Sequence, residues 1–144
     1  MVNQFDEVEL SKLGFLIKNT TLDYFLLEDK GSKSEIIAWK LGNWLQFRCR
    51  IYALQDGPGS SKYVALSETI NRMHDVALGA RVSLSDAGEV VLVSDVLHST
   101  VNNDLVATIS KQLLFLSEKL FKYVDDIARG RPSVDTEEID DMFS

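Results

Sequence analysis

Two histidines, a single cysteine and a glycine-rich loop are the residues of this 144-residue chain with the most obvious capacity for chemistry. His74 is followed by Asp75, the types of a general base and its orienting carboxylate. The pair lies in a helical pattern, where sequence neighbours point in different directions, so it reads as solvated helix surface. His98-Ser99-Thr100 sets a base type beside two hydroxyls. It stands between a strand pattern and a long helix pattern, and reads as a turn and cap. Cys49 falls on the apolar side of an alternating strand, which makes it a buried, inert thiol rather than a nucleophile. Residues 56–62, Asp-Gly-Pro-Gly-Ser-Ser-Lys, have the composition of a phosphate-cradling loop. They lack its Gly-x-x-x-x-Gly-Lys-Ser/Thr spacing, and Tyr63 follows the lysine. Asp135, Glu137, Glu138, Asp140 and Asp141 suggest calcium by type alone. They lack the glycine at the sharp turn and the terminal glutamate of an EF-hand loop. No catalytic residue, cofactor site or metal site is assigned, and an enzyme is not expected.

A different group is more informative. Trp44, Gln46, Arg48, Arg50 and Tyr52 alternate with Leu45, Phe47, Cys49, Ile51 and Ala53. Period-two alternation puts each set on its own face of a strand. The second set is core. The first is a solvent-facing row of amphipathic side chains or a protein-binding surface, because aromatics and arginine are enriched at interfaces.

The elements that must position these residues follow from punctuation and periodicity. A first helix is expected over residues 3–13, with Asp6, Glu7 and Glu9 near its positive end and Gly14 to stop it. Phe15, Leu16 and Ile17 fit either a helical extension or a loop over the core. Strands are expected over 22–28, 35–41 and 44–54, the last two joined by a Gly42-Asn43 turn. Residues 55–62 form a loop. A second helix is expected over 64–78, with Val64, Leu66, Ile70, Met73 and Ala77 as its apolar stripe and Gly79 as its C-cap. Strands over 80–85 and 89–96 form a hairpin. The second of these is apolar on both faces and belongs inside the sheet. A long helix runs from about residue 102 to 128, with Asn102 among its cap candidates and apolar groups from Val106 to Ile127. Its stripe is wide enough to leave apolar surface beyond what covers the sheet. The expected architecture is α+β: helix, three-strand antiparallel meander, helix, β-hairpin and long C-terminal helix, with helices mainly on one face of a five-strand sheet.

Composition sets bounds on function. The chain is 45% hydrophobic and 26% charged, ordinary for a globular domain able to bury a real core. One domain is expected over residues 1–131. One cysteine allows no internal disulfide and no thiolate zinc cluster. The first residues do not read as a secretory signal, and no apolar run approaches the ~20 residues of a membrane helix. A cytoplasmic setting is expected. The net charge is −7, and residues 132–144 account for −5 of it. The body is close to balanced and the acid sits in a tail. No basic stripe supports nucleic-acid binding. The tail reads as disordered in isolation. It is either a solubilising segment or a short recognition motif, since Ile139, Met142 and Phe143 are spaced among its acids.

The stretch from the second helix onward resembles a known fold family. It comprises Leu66-Ser67-Glu68-Thr69-Ile70-Asn71-Arg72-Met73, the hairpin from Arg81 to Asp95 and the helix from Leu105. With the element order over residues 3–128, it resembles type III secretion chaperones and YbjN-like proteins, including small uncharacterised cyanobacterial-type proteins. The resemblance rests on element order and carries no catalytic signature. It implies a scaffold that binds other polypeptides and often forms homodimers. The acidic tail is not part of that pattern. The leading expectation is therefore a non-enzymatic, chaperone-like or adaptor-like binding protein, a homodimer with an unidentified polypeptide partner. Its binding row is Trp44, Gln46, Arg48, Arg50 and Tyr52. The competing expectation is a small-molecule sensor or regulatory domain with a pocket between sheet and long helix.

Overall fold

Asp6 caps the first described element. Its side chain accepts hydrogen bonds from the backbone N–H groups of Val8 and Glu9, and helix α1 (Glu7–Lys12) follows. In this computed structural model residues 6–55, 57–71 and 80–130 are described. The expected helix over 3–13 is thus six residues long within them, and residues 1–5 lie outside. Gly14 takes φ +104° and turns the chain back.

The next residues supply a correction. Phe15, Leu16 and Ile17 belong neither to a helix nor to a loop: they open strand β1 (Phe15–Thr20). The sheet has six strands rather than five, in the order β1-β2-β3-β4-β6-β5, and its meander has four strands rather than three. The strand signal is weak for a physical reason. Only Phe15 is fully buried, the polar run Lys18-Asn19-Thr20 follows, and the register shifts between Ile17 and Asn19. Strands β2 (Tyr24–Asp29), β3 (Glu35–Leu41) and β4 (Trp44–Ala53) continue the meander, each antiparallel to its neighbour. Leu22, expected at the start of a strand, is 85% exposed at a turn. There the Thr21 hydroxyl accepts from the N–H groups of Asp23 and Tyr24. Leu41 pairs with Trp44 across Gly42-Asn43, the expected two-residue turn, with Gly42 at φ +62°.

Helix α2 is described over Ser61–Asn71 and starts three residues earlier than expected, because Ser60 accepts from the Tyr63 N–H. Leu66 and Ile70 are buried, whereas Val64 is exposed and lies off the buried stripe. Residues two apart on a helix point to opposite sides, so Val64 and Leu66 could not share that stripe. Met73, Ala77 and Gly79 lie outside the described residues. Strands β5 (Ala80–Leu84) and β6 (Glu89–Leu97) form the hairpin, and β6 sits inside the sheet as its two apolar faces require. Gly88 holds φ +84°, and a Cβ there would collide with the Leu54 carbonyl oxygen. A single turn of 3₁₀ helix (His98–Thr100) leads to α3 (Asn103–Ala128), capped by the Asn102 side chain on the Leu105 N–H. At ~1.5 Å per residue its 26 residues span about 39 Å.

The architecture is α+β, with three helices on one antiparallel sheet. The chain groups into two compact units, and β4, β6 and α3 contribute to both. Unit 1 holds residues 1–49 and 94–114. In it, register aligns Phe25, Ala38 and Phe47 across three strands, all fully buried, with Phe25 and Phe47 edge to face at 6.5 Å. Helix α1 packs against β1 there. Unit 2 holds residues 50–93 and 115–144. Its buried groups include Ile51, Leu66, Leu92, Leu116 and Leu120, and α2 packs beside β5.

Candidate functional site

The row expected to bind protein lies on β4, whose alternation is mostly as expected. Leu45, Phe47, Cys49 and Ile51 are buried, although Ala53 at the strand end is exposed. Trp44, Arg48 and Arg50 are exposed on the other face, while Tyr52 is half-buried. Gln46 departs from the expectation of a solvent-facing row: it is only 7% exposed.

In unit 1 the strand registers extend the row sideways into three rungs. Trp44 faces Leu41, Gln46 faces Trp39 and then Tyr24, and Arg48 faces Ile37 and then Leu26. Directly paired residues share a sheet face, so these groups form one continuous outer surface. Trp44 is 49% exposed and Leu41 is similarly open. Trp39, Tyr24, Ile37 and Leu26 are half-buried, and the Tyr24 and Trp39 rings lie 4.8 Å apart. This is an aromatic and aliphatic surface of the kind that interfaces use. Leu97 at the end of β6 is exposed as well, and the adjacent His98 N–H donates to the Asn43 carbonyl in the β3–β4 turn.

A polar brace crosses this surface. The Arg48 Nε–H donates to Gln46 Oε1 at 2.5 Å, and Gln46 Nε2 donates to Asp95 Oδ1 at 3.0 Å. Both ends of the buried amide are therefore satisfied, which explains how Gln46 can be buried at little cost. The same bonds hold the Arg48 guanidinium in a set position while it remains exposed.

In unit 2 the row continues with Arg50, 3.6 Å from Glu89, both side chains being largely exposed. The Tyr52 hydroxyl donates to Asp125 Oδ1 at 3.0 Å, and the same oxygen accepts from Arg129 Nε at 2.8 Å. Burial and the Asp125 carboxylate both push the Tyr52 phenol above its ordinary pKa. The phenol keeps its proton and works as a fixed donor, not as a base. The Tyr52 ring also packs 5.7 Å from Phe121 of α3.

The remaining candidates do not converge. Cys49 is buried and free of any disulfide. Thr100 Oγ1 donates to the Leu97 carbonyl, so the hydroxyl closes its own turn. His98 Nε2 is buried with no hydrogen-bond partner among the described residues. Residues 57–60 form a tight turn, with the Ser60 N–H on the Gly57 carbonyl, that feeds α2. His74, Asp75, Asp56 and the tail acids lie outside the described residues. Among the described residues no group of three His, Cys, Asp or Glu side chains could hold a metal. No helix of the described residues is long and apolar enough to cross a membrane. Among the described residues, unit 1 carries two surface depressions. One of ~340 Å³ is bounded by Lys40, Asn43, Leu97 and His98, and one of ~380 Å³ by α1 and the start of β1. Neither has α3 in its wall.

Sequence reasoning missed the partners of the row: Leu41, Trp39, Tyr24, Ile37 and Leu26. The signal was present in the two-residue turn, which sets Leu41 opposite Trp44 and thereby every later pair in the hairpin.

No protein-family model and no curated protein matches the chain. Several solved structures share its fold. The ExsC–ExsE complex contains a chain that superposes with a TM-score of 0.60 at 15% identity, over 85% of this chain and 92% of that one. A chain of the heterodimeric ExoU–SpcU complex, from the type III secretion system of Pseudomonas aeruginosa, gives 0.54 at 14% identity, over 81% and 94%. The structure of the Yersinia pestis type III secretion chaperone SycH with a stable fragment of YscM2 gives 0.53 at 16% identity, over 79% and 98%. The fold is type III secretion chaperone-like, and at these identities the likeness is one of fold.

Proposed function

We propose that this chain is a non-enzymatic polypeptide-binding protein, chaperone-like or adaptor-like, which acts as a cytoplasmic homodimer. It takes its partner on the outer face of the sheet. The observation that carries this reading is the half-exposed surface of Leu41, Trp44, Trp39, Tyr24 and Ile37, with Arg48 held on it by the Gln46–Asp95 brace. The fold neighbours support it, since each was solved in complex with another protein. Trp44 is the expected anchor. Covering the exposed half of a tryptophan removes on the order of 100 Å² from water, worth about 2–3 kcal/mol. Arg48 supplies direction, because a guanidinium already positioned by Gln46 loses little freedom on pairing with a carboxylate or carbonyl of the partner.

The test is affinity purification of the full chain from native cells, with Trp44→Ala and Arg48→Ala in parallel and the solution mass measured by light scattering. A specific polypeptide should co-purify with the wild type. Trp44→Ala should weaken that complex by about 2 kcal/mol, roughly 30-fold. A strictly monomeric chain with no polypeptide partner, or a partner held equally well by both variants, would overturn the proposal.

A further inference from the structure

The exposed side of the second half of α3 carries features that the proposed binding face does not use. Phe115 is 57% exposed, an unusual cost for a ring that a helix could have turned inward. Lys119 lies over it, with Nζ 5.7 Å from the ring centroid. Residues 115, 119 and 122 are spaced four and three apart, so Phe115, Lys119 and Lys122 share one side of the helix, and Arg129 lies two turns further on. One exposed acid, Glu118, borders this stripe. Of the acids near the helix end, Asp125 is engaged by Tyr52 and Arg129, and Asp126 is buried. The outer surface is therefore aromatic and basic.

We infer that this stripe is the docking surface for the chain's own acidic C-terminal segment, residues 132–144. Four observations converge on that occupant. The helix ends at Ala128, and Gly130 takes φ +70°, the left-handed conformation that terminates a helix, two turns beyond Lys122. Pro132 cannot continue a helix. The segment carries five carboxylates and no cation, complementary to Lys119, Lys122 and Arg129. Its order also matches the surface in reverse. Acids come first, at 135–141, and Met142-Phe143 come last, while a returning chain meets Arg129, Lys122 and Lys119 before Phe115. Reach is ample: Phe115 is about 20 Å back along the helix at ~1.5 Å per residue, and 13 extended residues span about 43 Å. Single exposed ion pairs are weak, but tethering supplies an effective concentration in the millimolar range, at which several weak contacts suffice.

The surface is distinct from the Trp44 face, so the inference does not depend on the proposed function. Nuclear magnetic resonance on the full, isotopically labelled chain tests it. Cross-peaks between the Phe115 ring and the Met142 methyl or Phe143 ring are expected, unchanged over a tenfold range of protein concentration. They should vanish in Lys119→Glu/Lys122→Glu. They should return when Glu137, Glu138, Asp140 and Asp141 are also changed to Lys. If the helix variant fails to fold, the tail variant alone should abolish the same cross-peaks. The inference fails if the wild type lacks them, if they grow with concentration and so report a second copy, if they appear on Trp44 instead, or if they survive the helix reversal alone or the tail reversal alone.

Discussion

Gln46 shows how much one side chain can organise. Its amide links an exposed guanidinium to a carboxylate on another strand, with Arg48 on its oxygen and Asp95 on its nitrogen. Gln46→Ala should destabilise the protein by about 1–3 kcal/mol in denaturant unfolding, because it leaves the part-buried carboxylate without that donor. The amide could not be recognised as buried from sequence. Its acceptor lies 49 residues away, and alternation alone marks position 46 as outward. Tyr52 is a second case. Its raised pKa means that the folded state holds the phenolic proton more tightly than the unfolded chain does. That contribution is fully present below about pH 10 and is lost as pH rises through the folded value. Thermal unfolding followed from pH 8 to 11 should show this alkaline loss in the wild type. Tyr52→Phe should flatten it, at a cost of about 1 kcal/mol near neutral pH.

Turns decide the elements. The β2–β3 connection is closed by Asp29, whose carboxylate accepts from both the N–H and the hydroxyl of Ser32. Those bonds lower its pKa. A lowered folded pKa gives stability that is present above the unfolded value near 4 and is lost as pH falls through the folded value. Asp29→Ala should therefore lose about 1 kcal/mol at pH 7 and show a weaker acid-side dependence of the melting temperature. Gly88→Ala should be harsher, at least about 2 kcal/mol by chemical denaturation, since the added Cβ meets backbone rather than a movable side chain. Most elements were legible because their periodicity was undiluted: ten residues of strict alternation declare β4, and 26 residues of helical spacing declare α3. Strand β1 was not, because one buried phenylalanine followed by Lys-Asn-Thr carries almost no period-two signal. The row on β4 was legible as a row; its lateral partners needed the register.

For the whole molecule, the balance of covered and open surface matters more than any one contact. The sheet face holding Phe25, Ala38 and Phe47 is fully buried, whereas the face holding Trp44 and Trp39 keeps much of its aromatic area accessible. A homodimer of this 16.2 kDa chain should give a solution mass of about 32 kDa, readable by sedimentation velocity. The element order over residues 3–128 foretold a type III secretion chaperone-like fold. The fold neighbours share that scaffold at 14–16% identity, a level at which backbone architecture persists while side-chain chemistry has been rewritten. On the proposed function, partner choice resides in this chain's own rungs and not in features common to the fold.

Strand β1, the element least visible in advance, carries a consequence for self-assembly. It is the outermost strand at one end of the sheet, and outermost strands offer unpaired backbone groups to any passing chain. This one is short, disrupted between Ile17 and Asn19, and studded with Lys18, which reaches toward Glu28. Those are the traits that stop sheets from stacking end to end into fibres. A protein that displays tryptophan and leucine on an open face thus has, at the β1 end of its sheet, an edge that disfavours the addition of further strands.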